Sequence, residues 1–477
     1  MASELKSKML HGMAWNAVGN MSGKVINFLI TIVLARLLSP SDFGLMAMLA
    51  IFIGISEVFV DSGITSALVR KPDIKEEDYS TAFYYNIIIG VVCYLVLFLI
   101  APLIAGFYNK PILSSLLRVQ SICILVQALM LVQNTRLIRK MDFKRTSIIQ
   151  LTTNILSGIV AIVAAFYGLG VWSLVIKNVF CAVIRVPVYW YVYAWKPQWT
   201  FSKESFHYIF DYGSKLLATG LINTFFANIN SIVIGKFFSA KSLGYYTKAN
   251  DMAALPSGNI MGILQSVTFP ALSEIQNDKE RICDVYRRLI RLSCFVVFPL
   301  MIGLAAVAKP LIILLYTAKW APCIIYLQVV CFALLWNPLF SLNLNLLEVK
   351  GRSDLTLKVQ TTVKFLSFGI TIAAIPFGVL GICVGSVIAA FLSLFVTTYY
   401  TGKLIGVGYW AQMKDVFPIF FNSLLMGGVS FLMVTIISNL WLSLLVGVVV
   451  GGLYYLATSY FTRSAELKEI INIIKRK

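Results

Sequence analysis

Long apolar segments separated by short polar ones follow one another along the whole chain. A membrane-spanning helix needs about 20 mostly apolar residues, and we count fourteen such segments. No stretch alternates as strands do, and an open sheet cannot face lipid, so every span is predicted to be a helix. The predicted spans are 11–37, 42–68, 80–106, 113–135, 147–167, 170–194, 207–235, 243–270, 290–308, 321–347, 356–376, 379–402, 415–437 and 440–461.

One helix–turn–helix pattern occurs twice, 200 residues apart, at 32–45 and again at 232–245. Both copies begin with Ile-Val, carry a serine at the turn and place a glycine early in the second apolar run. Six predicted spans separate the copies, an even number, so the copies share one orientation. The repeat therefore predicts two parallel halves related by an axis along the membrane normal.

The predicted fold class is an all-α polytopic membrane protein. It has about 14 transmembrane helices, arranged as two parallel pseudo-symmetric six-helix lobes plus two C-terminal helices. The boundaries that we expect are an N-terminal lobe at 1–195, a cytoplasmic linker at 196–206, a C-terminal lobe at 207–403, and spans 13–14 with a basic cytoplasmic tail at 404–477.

Composition supports a membrane protein, since hydrophobic residues make up 59% of the chain and charged residues 13%. Soluble domains have about 45–50% and about 25% respectively. The net charge of +19 would suit nucleic acid, but the bases lie between apolar runs and not on one soluble face. We read them as topology signals and expect no nucleic-acid partner.

The bases also predict the orientation. With the N-terminus in the cytoplasm, 27 Lys and Arg residues fall in cytoplasmic segments and 6 fall in outer loops. Because cytoplasmic loops of membrane proteins carry the excess of bases, both termini are predicted to be cytoplasmic.

Seven bases remain inside the spans: Lys24, Arg118, Lys177, Arg185, Lys215, Lys248 and Lys364. Lys24 and Lys364 are too deep to reach either surface easily, so they either line a hydrated cavity or form buried ion pairs. Lys177 is a further cavity candidate, although it could extend to the outer interface, as Arg118, Arg185 and Lys215 could. Lys248 either lines the cavity or forms a local salt bridge with Asp251 three residues on.

Carboxylates and amides also occur within the spans. Glu57 and Asp61 lie one turn apart on one helix face, and with Asp251 they are candidate coupling carboxylates; an interfacial pair that meets Lys24 or a loop base is the alternative for the first two. Polar residues gather in spans four, seven and ten, where interhelical hydrogen bonds or a hydrated cavity would explain them. They are Gln120, Gln127, Gln133, Asn134, Asn223, Thr224, Asn228, Asn230, Asn337, Ser341, Asn343 and Asn345.

Motifs of soluble catalysis and metal binding are absent from the sequence. There is no phosphate-binding loop, dinucleotide fingerprint, zinc-protease motif or nucleophile elbow. The eight cysteines form no CxxC pair and are read as packing residues, with neither disulfides nor a zinc site expected. We therefore predict no enzyme activity, no catalytic residue, no metal and no cofactor.

Several motifs resemble the polysaccharide transporter family, closest to its WzxC-like lipopolysaccharide or O-unit branch. They are Met13–Asn16 (MAWN), 32–44 (IVLARLLSPSDFG), 61–64 (DSGI), 68–71 (LVRK), 244–250 (GYYTKAN) and 269–276 (FPALSEIQ). The family belongs to the MATE-like (MOP) exporter superfamily. The resemblance implies a V-shaped pair of six-helix lobes around a basic central cavity, with Lys24 and Lys364 as cavity bases.

The resemblance also implies a function. The expected activity is flipping of undecaprenyl-pyrophosphate-linked oligosaccharide units across the bacterial inner membrane, by alternating access, for O-antigen, capsule or exopolysaccharide biosynthesis. The expected partners are the lipid-linked oligosaccharide pyrophosphate, membrane lipid, and the polymerase and glycosyltransferases of the same pathway. The alternatives are lipid II flipping, MATE-like antiport of small molecules and, as a different class, a membrane glycan polymerase or ligase.

Overall fold

The computed structural model describes residues 2–475, with side chains described at 15, 19, 21–258, 260–262, 265, 268–278 and 280–472. The described chain is almost entirely helical, and no strand occurs in it. Some bases of the topology census lie outside the described side chains: Lys6, Lys8, Lys279, Lys475, Arg476 and Lys477.

Within residues 2–475, twenty α-helices follow one another, with 3₁₀ turns at Ala318–Trp320 and Ile375–Phe377. They are α1 (Ala2–Leu37), α2 (Pro40–Asp61), α3 (Ile64–Arg70), α4 (Glu76–Phe107), α5 (Ile112–Gln120), α6 (Ile122–Ala128), α7 (Leu131–Arg139), α8 (Phe143–Phe166), α9 (Trp172–Val192), α10 (Lys203–Phe237), α11 (Ala240–Glu274), α12 (Lys279–Ala306), α13 (Ala308–Tyr316), α14 (Cys323–Leu334), α15 (Asn337–Val349), α16 (Ser353–Ala373), α17 (Gly378–Ile405), α18 (Tyr409–Ile436), α19 (Leu440–Phe461) and α20 (Ala465–Lys475).

The membrane spans agree with the prediction in kind but not in number. Ten described helices, or adjoining helix segments, are long and apolar enough to cross a membrane, and an eleventh span is formed if Ile112–Ala128 and Leu131–Arg139, bent by 46°, count as one. The predicted count of fourteen is not confirmed. The other three predicted spans lie on α1, α11 and α16, which are helices of 36, 35 and 21 residues. The count covers only the described residues, and parts of α1 and α11 lie outside the described side chains.

The chain forms two compact units, Met1–Gly244 and Tyr245–Lys477. This division falls within α11, whereas the sequence predicts a lobe boundary at the linker 196–206, and the six-helix lobes stay a prediction. In the first unit α8 packs against α1 and α9, while α10 packs against α2, α3 and α4. One hydrophobic core cluster of this unit includes Ile64, Phe83 and Trp195.

The second unit is built around α12, α17 and α18. α12 packs against α14 and α18, α18 packs against α19, and α17 packs against α14 and α16. An aromatic cluster lies at its centre, where the ring of Phe298 meets Trp336 edge-on at 5.5 Å and Phe420 at 5.9 Å. Burial of these large rings contributes both area and specific packing geometry.

The two copies of the repeat form two elbows, at the turns α1–α2 and α10–α11. In the first elbow Ser39 caps α2, since its hydroxyl accepts from the Asp42 amide at 3.3 Å while Asp42 Oδ2 accepts from the Ser39 amide at 2.8 Å. In the second elbow the Ser239 hydroxyl accepts from the Ser242 amide at 3.0 Å. Both serines act as helix N-caps. The repeat therefore predicted two real turns of one kind.

Candidate functional site

A polar cavity of about 370 Å³ lies in the first unit, between α1, α8 and α9. Ten residues line it: Gly19, Gly23, Lys24, Asn27, Gln150, Asn154, Ser157, Lys177, Asn178 and Cys181. Its volume is in the range of small-molecule sites. Two predicted cavity bases, Lys24 and Lys177, therefore meet at one site.

Helical spacing explains how the lining side chains converge. On each helix successive lining residues are one, three or four positions apart, which places them on one face. α8, for example, contributes Gln150, Asn154 and Ser157. α1 and α8 also approach closely at one end of the cavity, because a Cβ atom at Gly19 would lie 2.0 Å from Ser147 Oγ. Small residues at such contacts allow membrane helices to pack tightly.

Hydrogen bonds between helices hold the lining in place. Lys177 Nζ on α9 donates to Asn27 Oδ1 on α1 at 2.7 Å. Asn178 Nδ2 donates to Gln120 Oε1 on α5 at 3.5 Å. The 2.7 Å bond from Lys177 to Asn27 is charge-assisted and therefore stronger than a bond between neutral groups. It fixes the ammonium group within the cavity wall.

Arg185 extends the polar region next to the cavity. The sequence suggested that Arg185 could extend to the interface, but its guanidinium lies against α8. Arg185 Nε donates to Thr153 Oγ1 at 3.4 Å, and Nη2 donates to Asn154 Oδ1 at 3.3 Å. Nη2 also lies 3.2 Å from Cys181 Sγ. Arg185 thus supports the cavity wall from behind Asn154.

The lining has a clear chemical preference. It contains two lysines, four amide side chains and no carboxylate among the ten described residues. A positive charge within apolar helices is energetically costly unless polar or charged groups lie next to it. Ammonium and amide N–H groups are donors, and donors favour an anion. The cavity therefore suits an anionic ligand better than a cation.

Lys364 and Lys248, the other two predicted cavity bases, lie in the second unit and are considered by themselves. Lys364 is half-buried on α16. Lys248 is buried on α11, and its Nζ lies 3.4 Å from Asp251 Oδ2. The geometry of Lys248 thus favours the local i,i+3 salt bridge that the sequence left open. A role of Lys364, Lys248 and Asp251 in transport stays a prediction.

The candidate coupling carboxylates Glu57 and Asp61 are exposed side chains of α2. Gln127 Nε2 donates to Glu57 Oε1 at 3.2 Å, and the Thr65 hydroxyl donates to Asp61 Oδ1 at 3.0 Å. Among the described side chains neither carboxylate lies within ion-pair distance of a base. An ion pair of Glu57 or Asp61 with Lys24 or a loop base, which the sequence left open as the alternative, is not seen among the described side chains, and coupling stays a prediction.

Sequence reasoning missed Asn27, Gln150, Asn154 and Asn178. The available signal was their position on otherwise apolar helices: Gln150 and Asn154 lie four residues apart, Asn27 lies three residues after Lys24, and Asn178 follows Lys177. The amides singled out in span ten instead stabilise the second unit, where buried Asn343 Nδ2 donates to Gln412 Oε1 at 2.9 Å. Among the described residues no cluster of three His, Cys, Asp or Glu could hold a metal ion.

Known proteins resemble this chain in sequence and in fold. It is 26% identical to the teichuronic acid biosynthesis protein TuaB of Bacillus subtilis (strain 168), over 78% of this chain and 77% of that protein. It is 24% identical to the lipopolysaccharide biosynthesis protein WzxC of Escherichia coli (strain K12), over 88% of this chain and 86% of that protein. Among solved structures, the lipid II flippase MurJ in an inward closed conformation matches with a TM-score of 0.78 at 16% identity, over 94% of this chain and 98% of that chain.

The family comparison covers more than half of the chain. Residues 33–325 match the family described as polysaccharide biosynthesis protein. This range begins within the first elbow of the repeat and includes the second elbow. The resemblance noted in the sequence is confirmed, and the protein belongs to the polysaccharide biosynthesis protein family.

Proposed function

We propose that this protein is a flippase that moves a lipid-linked oligosaccharide, anchored through pyrophosphate, across the bacterial inner membrane for surface polysaccharide biosynthesis. The observation that carries the proposal is the cavity of the first unit, where Lys24 and Lys177 lie among amides without a carboxylate in the lining. The pyrophosphate of such a substrate is anionic, and the hydroxyls of its oligosaccharide need hydrogen-bonding partners. The lysines meet the first requirement and the amides meet the second.

The energetics of the membrane point in the same direction. A lysine at the centre of a bilayer costs about 2.5–3.5 kcal/mol on insertion scales. An anionic head group in the same apolar layer is likewise costly, and the two lysines of the cavity would attract it. Charge attraction between the lysines and a bound diphosphate would act for the part of the cycle in which the head group crosses the apolar layer. The cavity would lower the barrier for the head group, while the polyprenyl chain stays in lipid.

The names of the relatives support this substrate class. TuaB and WzxC are named for biosynthesis of teichuronic acid and of lipopolysaccharide. MurJ, which shares the fold, is a lipid II flippase. We accordingly propose that the partners of this protein are the lipid-linked glycan, membrane lipid, and the polymerase and glycosyltransferases of its pathway. We also propose an inner-membrane location with cytoplasmic termini.

Two alternatives have less support from the described residues. A drug-cation antiporter would favour acidic groups in its cavity, whereas this cavity is basic. A glycan polymerase or ligase would need a carboxylate on the outer face, and Asp42 is the only carboxylate in the predicted outer loops. The Asp42 side chain is already engaged in the N-cap of α2. The protein is therefore proposed to be a transporter and not an enzyme.

Complementation tests the proposal. A strain without its surface-polysaccharide flippase should regain polymer when it carries the wild-type chain together with the matching glycan pathway. The double variant Lys24→Gln/Lys177→Gln should restore less than a tenth of that polymer at equal protein level. Lys215→Gln is the matched control, since Lys215 is exposed on α10 and pairs with Asp211 at 3.5 Å. Full activity of the double variant would remove both lysines from the mechanism, and rescue of peptidoglycan synthesis instead would favour a lipid II flippase.

A further inference from the structure

The orientation of one amide decides which atom the cavity offers to a ligand. Asn154 Oδ1 accepts from Arg185 Nη2 at 3.3 Å and lies 3.5 Å from Cys181 Sγ. A guanidinium group has only donors, so the oxygen of the Asn154 amide must face it. The amide nitrogen then takes the opposite branch of the side chain. Asn154 lines the cavity, and within the described part of the chain its side-chain hydrogen bonds all go to Oδ1.

A second amide in the wall is oriented in the same sense. Asn27 Oδ1 accepts from Lys177 Nζ at 2.7 Å. The oxygens of Asn27 and Asn154, which would repel an anion, are thus both engaged by cationic donors of α9. Their N–H groups remain on the other branch of each amide. Two cations of one helix therefore set the polarity of two amides on the helices next to it.

We propose that Arg185 is a positioning residue, which turns the Asn154 amide so that Nδ2, together with Lys24 and Lys177, forms a subsite for the diphosphate of the lipid-linked substrate. This inference rests on the proposed function and names the part of the substrate that this cavity takes. Arg185 itself does not line the cavity and acts through Asn154. The shared ligand chemistry is a diphosphate, whether lipid-linked or free in solution.

Asn154→Asp separates positioning from mere packing, because the two roles predict opposite results. Aspartate has nearly the same shape, and its carboxylate would pair with Arg185, so thermal stability should stay equal or rise. The cavity would, however, lose a donor and gain a negative charge. If Asn154 had a purely structural role, the Asn154→Asp variant, being as stable as wild type, would bind the diphosphate with unchanged affinity.

Binding is measured on the full chain in lipid nanodiscs with farnesyl diphosphate as the probe, and with farnesol and inorganic pyrophosphate as competitors. We expect wild type to bind farnesyl diphosphate, farnesol not to displace it, and Asn154→Asp to weaken binding at least tenfold. Inorganic pyrophosphate should displace the probe only at much higher concentration. Equal displacement by pyrophosphate would assign the subsite to the free anion and overturn the lipid-linked assignment.

Two further variants complete the experiment. Arg185→Lys keeps one donor for Asn154 Oδ1 and should retain binding within about threefold, whereas Arg185→Met should weaken it like Asn154→Asp. Asn422→Asp is the matched control, because Asn422 is also half-buried in a span and its Oδ1 accepts from Thr458 at 2.8 Å in the second unit. Unchanged affinity of Asn154→Asp would overturn this inference alone. Failure of wild type to bind any diphosphate would overturn the proposed function itself.

Discussion

Gly44 and Gly244, the paired glycines of the repeat, lie where a backbone carbonyl passes within contact distance. A Cβ atom at Gly44 would lie 1.7 Å from the carbonyl oxygen of Ala240, and one at Gly244 would lie 1.8 Å from that of Pro40. Gly44 of α2 thus contacts the first turn of α11, and Gly244 of α11 contacts the first turn of α2. The side chain of any other residue would force these two helix ends apart, which explains why both copies of the pattern carry glycine here.

Gly44→Ala is therefore expected to destabilise the protein despite the better helix propensity of alanine. Overpacking typically costs about 1–3 kcal/mol, and the obstructing atom here is backbone, which cannot rotate away. The thermal unfolding midpoint in detergent, followed by tryptophan fluorescence, measures the effect. Gly428→Ala is the control, since no atom lies within 4 Å of a Cβ there, and it should leave the midpoint unchanged or raise it. An unchanged midpoint for Gly44→Ala would mean that the elbows are not packed as described.

At this scale the sequence predicted charges better than amides. Lys24 and Lys177 stood out because a base inside an apolar run has few structural explanations. Asn154 did not, because asparagine in a membrane helix is equally compatible with a buried interhelical bond. Asn343 is such a case, and it accepts from the hydroxyl of Thr401 at 2.6 Å. Only the partners of each amide, which are set by packing, separate the cavity residue from the core residue.

The segment between α9 and α10, which overlaps the predicted linker 196–206, is bound along much of its length to the start of α4. Trp195 Nε1 donates to Glu76 Oε2 at 2.7 Å. The backbone amides of Gln198 and Ser202 donate at 3.0 Å to the hydroxyls of Ser80 and Thr81 respectively. Buried hydroxyls that satisfy backbone donors take the place of a strand or helix partner. The linker is thus fixed to the first unit.

We expect the double variant Ser80→Ala/Thr81→Val to release this segment. Valine preserves the shape of threonine, so the main loss is two acceptors for backbone N–H groups, at about 1–3 kcal/mol for each unsatisfied group. Trypsin does not cut at Lys196, which precedes Pro197, and the exposed Lys203 reports opening. Cleavage after Lys203 in nanodiscs should accelerate at least fivefold.

The control for this experiment is Thr219→Val. Thr219 Oγ1 donates only within its own helix, to the Lys215 carbonyl at 3.1 Å. Its cleavage rate should equal that of wild type. Equal rates for the double variant as well would show that Ser80 and Thr81 do not restrain the linker.

Element boundaries show where the sequence was insufficient. The single predicted span 113–135 is divided in the structure among α5, α6 and α7, with a bend of 46° before Leu131. No proline or glycine occurs between 112 and 139 to mark the break. The first elbow, in contrast, carries its own signals in Ser39 and Pro40, and the second carries Ser239. Turns with side-chain caps were predictable, whereas a break imposed by tertiary packing was not.

The distribution of bases over the whole molecule predicts its orientation. The census of 27 bases in predicted cytoplasmic segments against 6 in predicted outer loops predicts that both termini lie inside. Alkaline phosphatase, which is active only outside the cytoplasm, should be active when fused after Asn109, between α4 and α5, and inactive when fused after Ser464. Green fluorescent protein at the same two positions is the complementary control and should give the reverse pattern. The same reporter result at both positions would show that an odd number of spans has been misassigned.

The electrical asymmetry of the membrane provides the last prediction for the molecule as a whole. The proposed head group is an anion, and the cell interior is negative, so outward movement gains about 2.3 kcal/mol per charge for each 100 mV. A basic cavity would then need only to lower the barrier, and no fuel-consuming domain would be required.

In proteoliposomes with a fluorescent disaccharide on polyprenyl diphosphate, transfer should be several-fold faster at an inside-negative potential of about 100 mV than at zero potential. Reversing the potential should slow it, and Lys24→Gln/Lys177→Gln should transfer little at either sign. Transfer rates that ignore voltage and every imposed ion gradient would contradict charge-driven flipping, whereas dependence on one cation gradient alone would point to antiport and to the carboxylates Glu57 and Asp61.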